Sequence, residues 1–495
     1  MPIVAVDDTD SRERGMCTTY VGVRLGERLE AIGGTVERRL LVRLNPAVKH
    51  KTRGNAAVAV HASGIDAEEA FRVAAETVRE FAAADDPRTS PGVVVADIDI
   101  AGLDLEATHP DGHNAPDPDD EQGGEPTTVI PDAVAAFSRR ALRERLTLEE
   151  ATALADAHGY RHAGFGSGGA AGAETPGRGR IGALAAVGAP ATLDDRSYER
   201  ISYRELDRCG TPREVDAESV FTAADREYPT VWDTVDRGTG EVVCVPNAPG
   251  PILHGIRGDD ADACRRVADE IESEPVERVA TFVTNQGTDT HLADGRIDAL
   301  RDGAGYRVSG VVASDPETKR GGHVHVDIAE DRPAENGERE GPHVDGSPAD
   351  RRPANEPATE PALRAIAFAP TGRFRDRVRA LRPDDRVTLC GEHERRASDP
   401  GPDGTLKLEK LAVRELVRTE PATPTCPDCG RRMSSAGRDQ GYRCRDCGTT
   451  APGKVSEPID RALEPGWYEV PPSARRHVAK PLVRGGFDAP THPER

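Results

Sequence analysis

No stretch of this sequence holds the roughly 20 consecutive apolar residues of a membrane-spanning helix, which excludes that class of membrane protein. Met1 to Val6 runs straight into acidic residues and lacks the basic start of a secretory signal peptide, so a cytoplasmic location is expected. Positive charge is in deficit: 65 Lys and Arg face 86 Asp and Glu, for a formal net charge of -21 and a pI of about 5.2. A chain of that sign does not attract phosphate backbones at long range, which taken alone argues against a nucleic-acid partner. Lysine in particular is scarce, while Arg, Asp, Ala, Val and Gly are plentiful. That is the pattern of a haloarchaeal cytosol, where a dense carboxylate surface stays hydrated. In molar salt the Debye length shrinks to about 3 Å, so local basic clusters report partners better than net charge does. The nine cysteines are odd in number and fit a reducing compartment better than a disulfide framework. No internal repeat is present.

At 495 residues the chain is too long for one core, and three or four domains are expected. Ile3 to Val6 reads as a strand ended by Asp7-Asp8, Thr18 to Leu29 as a helix and Val36 to Leu44 as a strand. Ala56 to His61 and Val93 to Ile98 read as further strands. Asp66 to Ala84 is an amphipathic helix opened by an Asp-x-x-Glu cap, Asp66 and Glu69. Alternating strands and helices make the N-terminal third α/β or α+β. Five short strands then suggest a small barrel of the OB type: Arg278–Val283, Tyr306–Ala313, His323–Ile328, Leu363–Ala369 and Arg386–Leu389. An acidic insertion near 108–127 is expected to be disordered, and a second, near 330–360, interrupts the barrel.

Cys426-x-x-Cys429 and Cys444-x-x-Cys447 are separated by fourteen residues. Two such knuckles complete a tetrahedral thiolate site for structural Zn²⁺, with Gly430 and Gly448 where each knuckle needs a permissive backbone. Asp7-Asp8-Thr9-Asp10-Ser11 sits where a strand meets a loop. Carboxylates packed so closely repel one another unless a cation compensates, and hard oxygen ligands suit Mg²⁺ held with substrate phosphates. Gly15-Met16-Cys17-Thr18-Thr19 opens a helix whose amides and hydroxyls suit a phosphate. The plainer alternative is an N-cap beside a solvated acidic turn. Lys51-Thr52-Arg53-Gly54-Asn55 suits phosphate or carbonyl binding, or is a basic surface turn. Gly164, Gly166, Gly168 and Gly169, continued by Arg178-Gly179-Arg180-Ile181-Gly182-Ala183, resemble a phosphate loop, but no clear strand precedes them and a flexible halophilic loop is the stronger reading.

Together with Ile181–Gly188, Pro212-Arg213-Glu214-Val215-Asp216, Thr284-Asn285-Gln286-Gly287-Thr288-Asp289, Trp467–Pro472 and Ala474–His477, these motifs resemble the archaeal tRNA-isoleucine agmatinylcytidine synthetase family along nearly the whole chain. The resemblance implies a multidomain α+β protein: a kinase-like ATP/Mg domain at 1–150, a ferredoxin-like domain at 151–274, an OB fold at 275–418, a zinc ribbon at 419–455 and a basic tail at 456–495. It implies a ligase that joins agmatine to C2 of the wobble cytidine of a minor isoleucine tRNA with a CAU anticodon. ATP goes to AMP and two phosphates, and codon reading shifts from AUG to AUA. It also implies phosphorylation of Thr18. Asp7, Asp8, Asp10, Thr18, Lys51 and Arg53 then become the catalytic group, with Ser11, Gly15, Thr19, Asn55 and Gly182 on the nucleotide phosphates. Asp216 and Asp289 are candidates for the agmatine guanidinium, though each is also a common cap or turn residue.

Arg431, Arg432, Arg438, Arg443 and Arg445 on the ribbon, and Arg475, Arg476, His477, Lys480 and Arg484 in the tail, are the local basic patches expected to contact tRNA. Two other readings compete. One is a non-catalytic single-strand nucleic-acid binder built from barrel and ribbon, which has no use for Asp7 to Asp10 beside Thr18. The other is a small-molecule kinase with an accessory ribbon. No protein partner is legible.

Overall fold

The computed structural model describes residues 1–13, 15–48, 54–98, 130–166, 176–331, 362–395, 404–438, 440–476 and 478–495. Both acidic insertions lie largely outside these residues, as do Lys51, Arg53, Gly168, Gly169 and His477.

One nine-stranded sheet forms the body. Its strands are β1 (Pro2–Asp7), β2 (Thr35–Arg43), β3 (Ala56–Ser63), β4 (Gly92–Asp97), β5 (Arg161–Gly164), β6 (Ser197–Tyr203), β7 (Val231–Trp232), β8 (Ile252–Gly258) and β9 (Arg278–Thr284). They are ordered β5-β4-β1-β3-β2-β9-β6-β8-β7. Every neighbouring pair is antiparallel except β2 and β9, which run parallel and meet at Leu40–Val283 and Leu41–Thr284.

The wholly apolar run of β1 is explained by burial on both faces. Ile3 and Ala5 face a core shared with α3 (Asp132–Ala141), α4 (Leu148–Ala157) and α5 (Arg180–Gly188). Val4 and Val6 face the opposite core under α1 (Thr18–Ala31) and α2 (Ala67–Phe81). Successive strand side chains point to opposite faces, so one tetrad of β1 serves two layers. Asp66 caps α2 by accepting from the Glu69 amide at 2.8 Å, as its sequence indicates.

The second half of the sheet is a βαββαβ unit in which α6 (Ala217–Glu227) follows β6 and α7 (Ala261–Glu270) follows β8. Both helices cover one face through Val220, Ala223, Cys264 and Val267. The other face, with Ile201, Tyr203, Ala280 and Phe282, merges with the core under α1, where Tyr20 meets Tyr203 edge-on at 5.5 Å. Elements α4, β5 and α5 pack on the first half of the sheet, on the far side of the expected 150/151 boundary.

The barrel closes with five strands, Ala304–Val312, Val324–Ala329, Ala362–Ala367, Thr405–Glu415 and Arg386–Glu394, the last pairing back onto the first. Its strand pattern assigns Arg278–Val283 to this barrel. The structure corrects that: the segment is β9 and pairs with β6 over seven residues. The missing fifth strand is Thr405–Glu415. Each segment's strand character was legible; the partner, a non-local choice, was not.

Residues 466–495 form a strap rather than a loose tail. Gly466–Glu469 adds to the barrel sheet beside Thr405–Glu415. Arg475 is buried between Asp233, at 2.8 Å, and Glu469, at 2.7 Å. Arg484 joins Asp259 at 2.6 Å and Asp195 at 3.0 Å. These pairs fasten the barrel to the βαββαβ unit.

Candidate active site

A cavity of about 890 Å³ opens where the C-terminal end of β1, the first turns of α1 and α5, and the end of β2 face β6 and β8. Asp7, Asp8, Asp10, Thr18, Thr19, Asn55 and Gly182 line it, so seven of the residues singled out in the sequence are brought together. The apolar strand delivers Asp7 as its last, buried residue, and the chain turns at Asp8 with φ of 57°. A left-handed Asp is tolerated only at some cost, on the order of 1 kcal/mol, and such positions cluster at functional sites. Cys17 at the N-cap of α1 makes no side-chain capping hydrogen bond, and that helix end lines the cavity. The Thr9 hydroxyl donates to Oγ1 of Thr18 at 3.1 Å and fixes its direction.

The electrostatics favour a cation. Burial, and then the neighbouring Asp8 charge, hold the Asp7 carboxyl well above the ordinary carboxylate range, although the Asp8 amide donates to Asp7 Oδ1 at 2.7 Å. Burial likewise pushes Asp8 to about 6 against the pull of Arg178, whose Nη2 donates to Asp8 Oδ2 at 2.6 Å. Arg178 also donates to the Arg88 carbonyl at 3.0 Å. Buried carboxylates facing one another are an unfavourable arrangement that a hard divalent cation relieves, so the donor set fits Mg²⁺. Gly182 is what lets α5 approach. A Cβ there lies 2.0 Å from Asp7 Oδ2 and 2.8 Å from Leu44 Cδ1. The glycine makes room for a carboxylate and itself lines the cavity.

Ser11 and Gly15 stand outside the lining, while Asn55 and Thr19 line it with their side chains engaged locally. Ser11 is buried and donates to Asp86 Oδ2 at 2.6 Å, outside the cavity lining. Gly15 closes the Ser11–Gly15 turn against Pro249. The Asn55 amide donates to the Asn45 carbonyl at 3.0 Å. Thr19 Oγ1 sits 3.0 Å from Cys17 Sγ.

Neither agmatine candidate faces the cavity. Asp216 caps α6 by accepting from the Ser219 amide at 2.7 Å. Asp289 is enclosed by Lys410 at 3.1 Å, Arg307 at 2.9 Å and the Lys480 amide at 2.7 Å. Arg475 is corrected too, since a guanidinium buried between two carboxylates cannot reach a tRNA phosphate. Arg476 is partly exposed but paired with Glu392 at 3.0 Å.

The structure adds Arg43 and Glu199, which no sequence motif singles out, and gives Arg178 and Arg213, present in the motifs without a role, a place in the lining, Arg178 against Asp8. A signal existed for Glu199, a lone charge on the face that Ile201 shares in a strand. Burial raises its pKa, but Arg257 and Arg43 outweigh that and leave it below the ordinary value.

The ribbon forms as its spacing indicates. The four sulfurs of Cys426, Cys429, Cys444 and Cys447 lie within 4.8 Å of one another, with Cys429 and Cys444 at 3.6 Å. That separation suits tetrahedral Zn–S bonds of about 2.3 Å. The knuckles are matched, with Gly430 donating to the Cys426 carbonyl at 2.9 Å and Gly448 to that of Cys444 at 3.0 Å. Both glycines have φ near 70°. Arg431, Arg432, Arg443 and Arg445 are exposed on it. Among the described residues, no helix is long and apolar enough to cross a membrane.

Comparison with known proteins agrees from end to end. The TiaS TCKD domain model matches residues 3–67 and 62–167, the TiaS FLD domain model 177–291 and the TiaS C-terminal zinc ribbon domain model 423–463. TiaS of Haloquadratum walsbyi, a 2-agmatinylcytidine synthetase for an isoleucine tRNA, is 49% identical over 506 aligned positions that span 100% of both chains. A crystal structure of TiaS in complex with an isoleucine tRNA and ATP superposes with a TM-score of 0.76 at 36% identity, covering 100% of this chain and 99% of that one. A complex of TiaS with the tRNA, AMPCPP and agmatine gives 0.74 at 33%, with 100% and 99% covered. This chain belongs to the TiaS family, the 2-agmatinylcytidine synthetases of isoleucine tRNA.

Proposed function

We propose that the chain uses ATP to conjugate agmatine to C2 of the wobble cytidine of the minor isoleucine tRNA. One observation carries this reading: Asp7, Asp8, the open end of α1 and the Thr18 hydroxyl share one cavity, in a chain that matches its relatives over its full length. A pure single-strand binder has no use for that cavity. The C2 carbonyl is a poor electrophile and oxide a poor leaving group. Phosphorylation of that oxygen lets the agmatine amine attack C2 while the oxygen departs with the phosphate. ATP ends as AMP and two phosphates.

In this reading Asp7, Asp8 and Asp10 hold Mg²⁺, which when bound screens the phosphate charge. The open amides of α1 orient phosphate oxygens, and Thr18 receives a phosphoryl group. Lys51 and Arg53 belong to the same proposal. The cytidine must leave the anticodon stack to reach the cleft. Exposed ribbon arginines and the barrel grip the tRNA.

The domains follow the packing. We read a kinase-like unit as extending through α5, a ferredoxin-like unit from β6 to β9 on the strength of its βαββαβ order, and an OB-type barrel after it. The deciding experiment is mass spectrometry of the anticodon loop of the minor isoleucine tRNA after incubation with ATP and agmatine. Phosphate release from ATP without a modified cytidine sinks the reading in favour of a small-molecule kinase.

Two expected results follow from the geometry. Cys429→Ser removes one of four Zn²⁺ ligands, so metal content by mass spectrometry falls to near zero and tRNA affinity drops tenfold or more. An unchanged affinity takes the ribbon out of recognition. For the cleft, Mg²⁺ must displace protons from carboxyls whose pKa is raised. Affinity for Mg²⁺ therefore climbs as pH rises through about 6, where Asp8 is half-ionised, and goes on climbing above it while Asp7, also raised, gives up its proton. The same elevation makes the metal-free fold lose stability as pH rises from the unfolded carboxyl value to about 6, because the native state then holds the extra proton. Calorimetric Mg²⁺ titrations between about pH 5 and 8 check this, and a flat profile removes Asp8 from the site.

A further inference from the structure

The segment Thr284-Asn285-Gln286-Gly287-Thr288-Asp289 stood out in the sequence, and none of the chemistry above uses it. Its first five residues lie in the interior, with Thr284, Asn285, Gln286 and Thr288 each 0% exposed. Four buried polar residues so close together are costly unless each has work to do. Much of that work converges on Arg43. The parallel pairing of β9 with β2 stops at Thr284 opposite Leu41, and the Asn285 side chain carries the ladder onward. Its Oδ1 accepts from the Arg43 amide at 2.7 Å and its Nδ2 donates to the Arg43 carbonyl at 2.9 Å. Gln286 Oε1 then accepts from Arg43 Nε at 2.7 Å, and Glu199 Oε2 from Nη2 at 3.1 Å.

Arg43 is thereby held along one edge of its guanidinium while it lines the same cavity as Asp7 and Asp8. The charge is not cancelled. Glu199 is shared with Arg257, at 3.3 Å from its other oxygen, and the closest partner of Arg43 is a neutral amide. A fixed fork with one edge turned to the cleft is prepared for a planar array of oxygens, and its rotamer entropy is already spent. Arg213 lines the same cavity, its guanidinium donating to the carbonyls of Ile252, Ala248 and Gly250.

We propose that Arg43 binds a phosphate group of a substrate, and that Asn285, Gln286 and Glu199 are positioning residues that aim its guanidinium into the cleft. The phosphate belongs either to ATP or to the tRNA strand beside the extruded cytidine. The turn that aims Arg43 is also bolted to the rest of the molecule. Gly287 accepts from Arg484 of the strap, and Asp289 accepts from Lys410 and Arg307 of the barrel. Barrel, strap and cleft wall therefore share one rigid fastening.

This inference rests on the reading that the cleft takes ATP and tRNA, and the test separates the two. The unsubstituted chain, Arg43→Gln and Gln286→Glu are compared in ATP binding without tRNA, by equilibrium dialysis, and in binding of the minor isoleucine tRNA without ATP, by filter retention. Gln286→Glu is the sharper variant: it is isosteric and keeps an acceptor for Nε, but sets a second carboxylate on Arg43. Both variants are expected to weaken one ligand tenfold or more, to raise the KM for that ligand more than they lower kcat, and to unfold near the parent temperature. Loss in the dialysis arm assigns the nucleotide phosphate; loss in the filter arm assigns the tRNA strand. If the parent binds neither ligand, the reading of the cleft fails. If the parent binds both and Gln286→Glu binds them equally well, the Arg43 assignment is overturned.

Discussion

Replacing Asp8 by Ala lowers agmatine incorporation a thousandfold or more while leaving retention of the isoleucine tRNA on a filter unchanged. The carboxylate follows the strand that enters the cleft, it is largely buried, and its ordinary partner is a cation, here Arg178 at 2.6 Å. Removing a group that neutralises or holds charge at the reacting centre takes on the order of 10² to 10³ from kcat, and the loss of a metal ligand in phosphoryl transfer takes more. Thr18→Ala behaves alike if the hydroxyl accepts phosphate. Thr9→Val, which only removes the donor to Thr18, has a smaller effect. Near-normal turnover in Asp8→Ala moves the chemistry out of this cavity.

Gly182→Ala is the second large effect, and it separates activity from stability. The added methyl group falls 2.0 Å from Asp7 Oδ2, with Leu44 behind it at 2.8 Å. Helix α5 cannot retreat, since Ala183, Leu184, Ala185 and Ala186 around Gly182 are themselves fully buried. The carboxylate has to rotate instead. Overpacking of this size costs about 1–3 kcal/mol, a shift of a few degrees in unfolding temperature. Turnover falls about a hundredfold because the Asp7 oxygens no longer point into the cleft. Equal turnover in both proteins shows that Asp7 orientation is irrelevant to the reaction.

What could be read in advance follows the range of the forces involved. The zinc ribbon was legible because its ligands and their knuckles are local. So was the cluster of Asp7, Asp8, Asp10 and Thr18, since strand end, turn and helix start are contiguous. The capping of α2 by Asp66 is equally local. Partner choice was not legible. Arg278–Val283 reads as a strand, but nothing nearby says that it pairs with β6 and not with the barrel. Charge alone also misled. Arg475 and Asp289 look like solvent-facing recognition residues, yet each is enclosed by opposite charges from distant segments. Arg178 was visible only as part of a Gly-rich stretch; its meeting with Asp8, 170 positions away, belongs to the fold.

The strap from Gly466 onward has a consequence for biogenesis. The strands of the βαββαβ unit and the five strands of the barrel are all translated before the strap, whose Tyr468 and Val470 complete the barrel core. The residues that clasp them, Arg475 and Arg484, are translated only after both, and after the ribbon as well. Until then the βαββαβ unit carries bare acidic sockets, at Asp233 and at Asp195 with Asp259, awaiting their arginines. The final orientation of cleft to barrel is thus a late maturation step, governed by when that segment arrives.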